Sequence, residues 1–154
     1  MNPAFIRWCP RWPLAVATAL GVLTAACADQ ELAAHVDATL VETYVRLVRD
    51  GRTGEAFDRC LSRNARAAQS RDTFVAAHRK RRQDKGTIQG RRLVTAQVTR
   101  NLFSPERTVY LEYLLQLPEG EEPVDLVAHD ADGEWRIERT GRRSANDTID
   151  DAVW

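Results

Sequence analysis

Two periodicities divide the chain. From Asp29 to about Lys85 apolar residues recur three and four apart, and from Gly90 to Thr140 they alternate. The first stretch, Asp29 to Asp50, sets Leu32, Val36, Leu40, Tyr44, Leu47 and Val48 on one stripe. That spacing predicts a long helix, capped by Asp29 and ended by Gly51. Gly51-Arg52-Thr53-Gly54 is a turn, with Thr53 placed to cap a short helix carrying Ala56, Phe57, Cys60 and Leu61. Ser62 to Gln69 is polar and Ala-rich, a connector or weak helix. A third helix is expected from Ser70 to about Asp84, with Phe74, Val75, Ala77 and His78 on its inner side. Gly86 stands where a left-handed C-terminal residue belongs.

The alternating half predicts four strands. Gly90 to Asn101 sets Val94, Ala96 and Val98 against Thr95, Gln97 and Thr99, and Ser104 to Arg107 turns the chain. Thr108 to Leu117 alternates throughout, with Val109, Leu111, Tyr113, Leu115 and Leu117 on one face. Pro118 to Pro123 reads as an acidic turn, and Val124 to His129 as the third strand. Asp130-Ala131-Asp132-Gly133 then turns into Glu134 to Thr140, with Trp135 and Ile137 inward. Hairpin-length links imply an antiparallel meander with one wet face and one face to be covered. The three helices supply the cover, so the expected class is α+β. From Gly141 to Trp154 the chain is polar until its last two residues, and a disordered tail is expected.

A third pattern precedes both. Met1 to Trp12 carries Arg7 and Arg11 and no acid, and Trp12 to Ala26 is almost wholly apolar. A secretory apolar core runs ~7–15 residues, whereas a spanning helix needs ~20. Leu23-Thr24-Ala25-Ala26-Cys27 resembles a bacterial lipobox, with small residues before the cysteine and Thr24 where Leu is more usual. The resemblance implies a signal peptide over residues 1–26, diacylglycerol on the Cys27 thiol, and acyl chains such as palmitate on the mature N-terminus. Two or more chains hold a protein at a membrane stably. Two other readings stand beside it. Ala26-Cys27-Ala28 fits an A-x-A cut releasing a soluble secreted protein from Asp29, and an uncleaved run would be a short anchor. Ala28 stands where an Asp would resemble an inner-membrane retention signal, which favours the outer membrane, although Asp29 follows. The division expected is therefore 1–26 leader, 27–140 a single domain tethered through Cys27, and 141–154 tail.

Composition changes little. Removing 26 of 154 residues leaves 128, one domain's length, able to bury a core without staples. Loss of Arg7 and Arg11 leaves 20 cations against 22 acids, a net charge of −2, so nothing global calls for nucleic acid. Cys9 leaves with the leader and Cys27 is the acylated residue. The remaining Cys60 has no partner for an internal disulfide, and beside Phe57 and Leu61 it reads as core.

A long first helix, two shorter ones and a four-stranded meander ending in Gly133-Glu134-Trp135-Arg136-Ile137 resemble the cone-shaped fold of nuclear-transport-factor-like, SnoaL-like domains. The stretch from about Val41 to Arg139 is similar to a bacterial envelope family known as domain of unknown function 4019. The likeness is carried by Phe74 and its helix, Gly86 leading to Arg91-Arg92-Leu93, Tyr110, Val124 to Val127, and Asp132 to Ile137. The turn at Phe103 to Arg107 and the polar end after Ile137 depart from that pattern. The resemblance implies a periplasm-facing envelope protein and, in relatives, a cavity at the wide end of the cone.

Candidate chemistry is thin. Tyr44, His78, Tyr113 and Trp135 are the candidate pocket residues, while Asp125 alternates out of phase with Val124 and Leu126 and faces the wet side. His35, His78 and His129 lack metal-site spacing, and Asp130 to Gly133 lacks the later ligands of a calcium loop, so no metal or other cofactor is expected. The run Arg79-Lys80-Arg81-Arg82 is a candidate anionic contact, though four consecutive cations encircle a helix instead of lining one stripe. The expected function is a non-catalytic, lipid-anchored envelope protein that binds a protein partner or a small apolar ligand. The alternative is a small isomerase- or hydrolase-like enzyme using a pocket in the cone, which would need an ionisable side chain inside it.

Overall fold

The computed structural model describes residues 27–101, 105–131, 133–143 and 149–150. Residues 1–26, 102–104, 132, 144–148 and 151–154 lie outside them, so the lipobox apart from Cys27, and most of the expected tail, are outside the described residues. Four helices precede a meander, an α+β arrangement. Helix α1 covers residues 27–49, with a π-helical turn at Asp37–Val41 before the α-helical Glu42–Arg49. Helices α2 (Thr53–Cys60), α3 (Arg63–Ala68) and α4 (Arg71–Lys85) follow. Strands β1 (Gly90–Arg100), β2 (Arg107–Leu117), β3 (Gly120–Ala131) and β4 (Glu134–Arg143) pair antiparallel in chain order. A two-residue β5 (Ile149–Asp150) pairs with the end of β4.

The core lies between the sheet's inner face and the helices. Val109, Leu111, Tyr113 and Leu115 of β2 and Val124, Leu126 and Ala128 of β3 are all buried, as strict alternation demands. Against them pack Val36, Leu40, Val41, Tyr44 and Leu47 of α1, Phe57 and Cys60 of α2 and Phe74 of α4. The Cys60 thiol is buried, and burial pushes its pKa up, as a core cysteine requires. Leu61 bridges to Ile137, and the Ser62 amide donates to the Ile137 carbonyl at 2.8 Å, tying the helical layer to β4.

Several local expectations change. Thr53 is the first residue of α2 and does not cap it. The N-cap is Arg52, whose guanidinium instead bonds the Glu55 carboxylate at 2.7 Å, so an ion pair replaces the hydroxyl cap. Residues 63–68 do form a helix, because Ser62 accepts from the Ala65 amide at its start. Ser70 caps α4 in the same way, and Gly86 ends it at φ 83°. A Cβ at Gly86 would stand 2.7 Å from Pro118 Cγ, so both conformation and space require glycine there.

The sheet also departs from the sequence reading. A bulge between Leu93 and Thr95 resets the phase of β1, so Leu93, Ala96 and Val98 oppose the inward Tyr113, Leu111 and Val109. Val94, expected inward, falls at the bulge and is 46% exposed. The acidic turn shrinks to Pro118 and Glu119, and β3 begins at Gly120. Glu122 then continues the inward series of Val124 and Leu126, and is buried against Arg81 at 2.8 Å and Lys85 at 2.9 Å. Burial alone would raise its pKa, but bonds from Lys85 and Arg81 hold it below the ordinary value. Strand β4 runs to Arg143, into the stretch expected to be tail. Gly141 pairs with Asp125 and is buried, and ladder pairing asks only for backbone groups.

Candidate functional sites

Residues expected to form one pocket are divided among three places. Tyr44, on the inner side of α1, is fully buried, and its hydroxyl lies 3.3 Å from Nε2 of His78 on α4. The His78 ring stacks at a tilt on Phe74, 4.3 Å between centroids, and Phe74 meets Phe57 at 5.3 Å. In this apolar setting burial, aided by Arg81, pulls the His78 pKa down to about 3. Burial likewise holds Tyr44 well above the ordinary phenol range. A histidine neutral down to that pH is a weak base, far from the value near 7 that proton transfer favours.

Linkage gives His78 a measurable sign. The unfolded ring binds a proton below about 6.5 and the folded ring does not until about 3, so protons favour the unfolded chain across that window. The contribution of this ring to stability is present above pH 6.5 and is lost as pH falls toward 3. In proton NMR, the His78 ring resonances should keep neutral-form positions at pH 5, and His78→Phe should flatten the acid side of the stability profile. A His78 midpoint near 6.5 would contradict the packing described.

Tyr113 belongs to a different cluster, at the π-helical turn. That turn directs Asp37 toward the sheet, where its Oδ1 accepts from Tyr113 OH at 2.6 Å and also from Arg91 Nη1. The second Arg91 nitrogen donates to Glu42 Oε2 at 3.0 Å, and the guanidinium lies 5.2 Å over the Tyr113 ring. Burial, reinforced by the Asp37 bond, drives the Tyr113 phenol above its ordinary range. Asp37, Glu42 and Arg91 line a hollow of about 340 Å³ with Leu93 on its rim. Both donors to Asp37 are already engaged with it, and an accepting carboxylate so bonded is a positioning and charge-balancing group. Asp37 and Glu42 were not singled out in the sequence. A π turn has no signature in apolar spacing, although such turns gather at functional sites.

Trp135 is half-buried against the core, with the Arg107 guanidinium 5.5 Å over its ring, and it lines a shallow hollow of about 560 Å³ together with His35, Cys60 and Arg136. Arg107 reaches past it to Asp130 Oδ2 at 2.6 Å. Among the described residues, Tyr44, His78, Tyr113 and Trp135 line no hollow together, and Phe74 and the leucines of β2 and β3 occupy the space they were expected to surround. Asp125 stands between the buried Val124 and Leu126 and turns to the opposite face, as its phase predicts. His35 is exposed, and Nδ1 of His129 sits 3.2 Å from the Thr108 hydroxyl.

The basic run of α4 is not evenly spread. Arg79, Arg81 and Arg82 line a hollow of about 150 Å³ beneath which His78 lies, joined from α1 by Arg49, while Lys80 is not part of its lining. Spacing of three and four along α4 puts residues 75, 78, 79 and 82 on one side, so two of the four cations, Arg79 and Arg82, share a stripe. Among the described residues no group of three or more metal-ligating side chains occurs, and no helix is long and apolar enough to cross a membrane. No protein-family model matches the chain, and no curated protein matches it.

Proposed function

We propose that this chain is a non-catalytic, lipid-anchored protein of the bacterial envelope, acylated at Cys27 and facing the periplasm, with the outer membrane favoured. Its α+β domain presents a surface to a protein partner. The cone-shaped, nuclear-transport-factor-like character of the domain, and its kinship with domain of unknown function 4019, belong to the same proposal. In support of that character, a long first helix packs on the inner face of a four-stranded meander, with Gly86, Tyr113 and Trp135 at its turns and core.

The observation that carries the binding reading is the filled interior. Tyr44, Tyr113, Phe74, Leu111 and Leu126 fill the space between the sheet and the helices with 1% exposure or less, which argues for a partner on the outside over a small apolar ligand within. Edge strand β1 offers such a surface, with Leu93 38% exposed on the inner face and Val94 beside it. Of the residues proposed for an enzyme's pocket, His78 is an ionisable one that lines a hollow, and a ring that stays neutral to about pH 3 suits that reading poorly.

Replacing Cys27 by Ala tests the anchor in a two-membraned bacterial host. The wild-type chain is expected in the membrane fraction and the variant in the soluble periplasmic fraction. Equal partitioning of the two would remove the lipid from the account.

A further inference from the structure

A hollow between the end of α1 and the inner flank of α4 is lined by Arg49, Arg79, Arg81 and Arg82 and by no acid. Of the four, Arg81 is committed to Glu122 at 2.8 Å, and Arg49 has Asp50 only at 4.0 Å with both side chains nearly half exposed. Four guanidinium groups around one small space repel each other, and the nearby carboxylates offset that only in part. Local backbone is shaped to the cluster. Gly51, at φ 78°, has Arg82 Nη1 only 3.1 Å from where a Cβ would stand, so a side chain at residue 51 would crowd that guanidinium. Thr53, buried at the start of α2, completes the floor.

We propose that this hollow is a binding site for a tetrahedral oxyanion, a phosphate or phosphate ester, held by Arg49, Arg79 and Arg82 with Arg81 behind them. Planar guanidinium forks match the paired oxygens of such a group, and each bond is charge-assisted. The volume agrees with a group and not with a whole organic ligand. About 150 Å³ is well under the ~300–1,000 Å³ of small-molecule sites. The site lies at the far end of α1 from Cys27, roughly 30 Å along the axis at ~1.5 Å per residue. At that distance from the tethered residue, a free phosphate or soluble ester is the expected source, ahead of a headgroup in the anchoring leaflet. The site does not depend on the tether, and its failure would leave the anchor untouched.

The test uses the full-length chain in dodecyl maltoside micelles at constant ionic strength, so that general screening is held fixed. Inorganic phosphate and glycerol 1-phosphate are titrated against sodium chloride, following the thermal midpoint and calorimetric heat. A saturable rise in midpoint with phosphate is expected. Arg49→Gln and Arg82→Gln should each weaken the apparent affinity by about tenfold, the loss of one charge-assisted bond, with Lys80→Gln close to wild type. A parallel arm dopes the micelles with phosphatidylglycerol or with phosphatidylcholine. A shift confined to phosphatidylglycerol micelles, and lost in the same two arginine variants, would keep the site and assign it to a headgroup. No saturable shift with any probe, or equal weakening in Lys80→Gln and the arginine variants, would overturn the proposal.

Discussion

Phe74→Ala should cost about 3–5 kcal/mol, a large part of the ~5–15 kcal/mol that holds a domain of this size together. Phe74 is 1% exposed and lies at the meeting of α1, α2 and α4, with Phe57 on one side and His78 on the other. Its removal takes apolar area out of the core and opens a space that the rigid Phe57 ring and the bonded Tyr44–His78 pair cannot close. Urea unfolding followed by circular dichroism measures the loss, with the slope unchanged because the surface exposed on unfolding barely alters. Phe74→Leu, which keeps most of the volume, should lose markedly less. A cost below ~1 kcal/mol for the alanine variant would mean the interior is not packed as described.

Asp37→Leu should be the most damaging change outside the hydrophobic core, costing about 2–3 kcal/mol, below the ~3–5 kcal/mol of breaking a fully buried ion pair because the Asp37 side chain is 24% exposed. The substitution strands the Tyr113 hydroxyl and leaves the Arg91 guanidinium, whose side chain is 15% exposed, with the outlying Glu42 and the backbone carbonyl of residue 37 at 3.4 Å. Arg91→Met alone should be damaging for the mirror reason. The double variant should be less destabilised than the sum of the two, since an apolar pair leaves no uncompensated charge. Thermal or urea melts of the four species close the cycle. Additive losses would show that Asp37 and Arg91 do not act as a unit.

What could be read from the residues is what short periods encode. Val109 to Leu117 alternates without interruption and forms β2, and the spacing of Leu32 to Leu47 forms α1, because burial on one face fixes both. Gly86 and Ser70 marked the ends of α4, since capping chemistry is local. The features that escaped depend on partners distant in the chain. Glu122 reads as part of an acidic turn until Arg81 and Lys85, on α4, neutralise it and let β3 start four residues earlier than Val124. Asp37 is one acid on a helix until the π turn aims it at Arg91 and Tyr113. The bulge at Val94 and the extension of β4 to Arg143 follow from strand register, which neighbouring strands impose. The candidate pocket failed to assemble for a related reason. Its four members were chosen by chemistry, and the side chains that separate them come from every layer of the fold.

Mass spectrometry of the mature N-terminus, on protein purified from a bacterial membrane fraction, decides whether the chain is acylated. The expected species begins at Cys27 and carries the added mass of a diacylglyceryl group and a further acyl chain. A first residue of Asp29 with no added mass would contradict it.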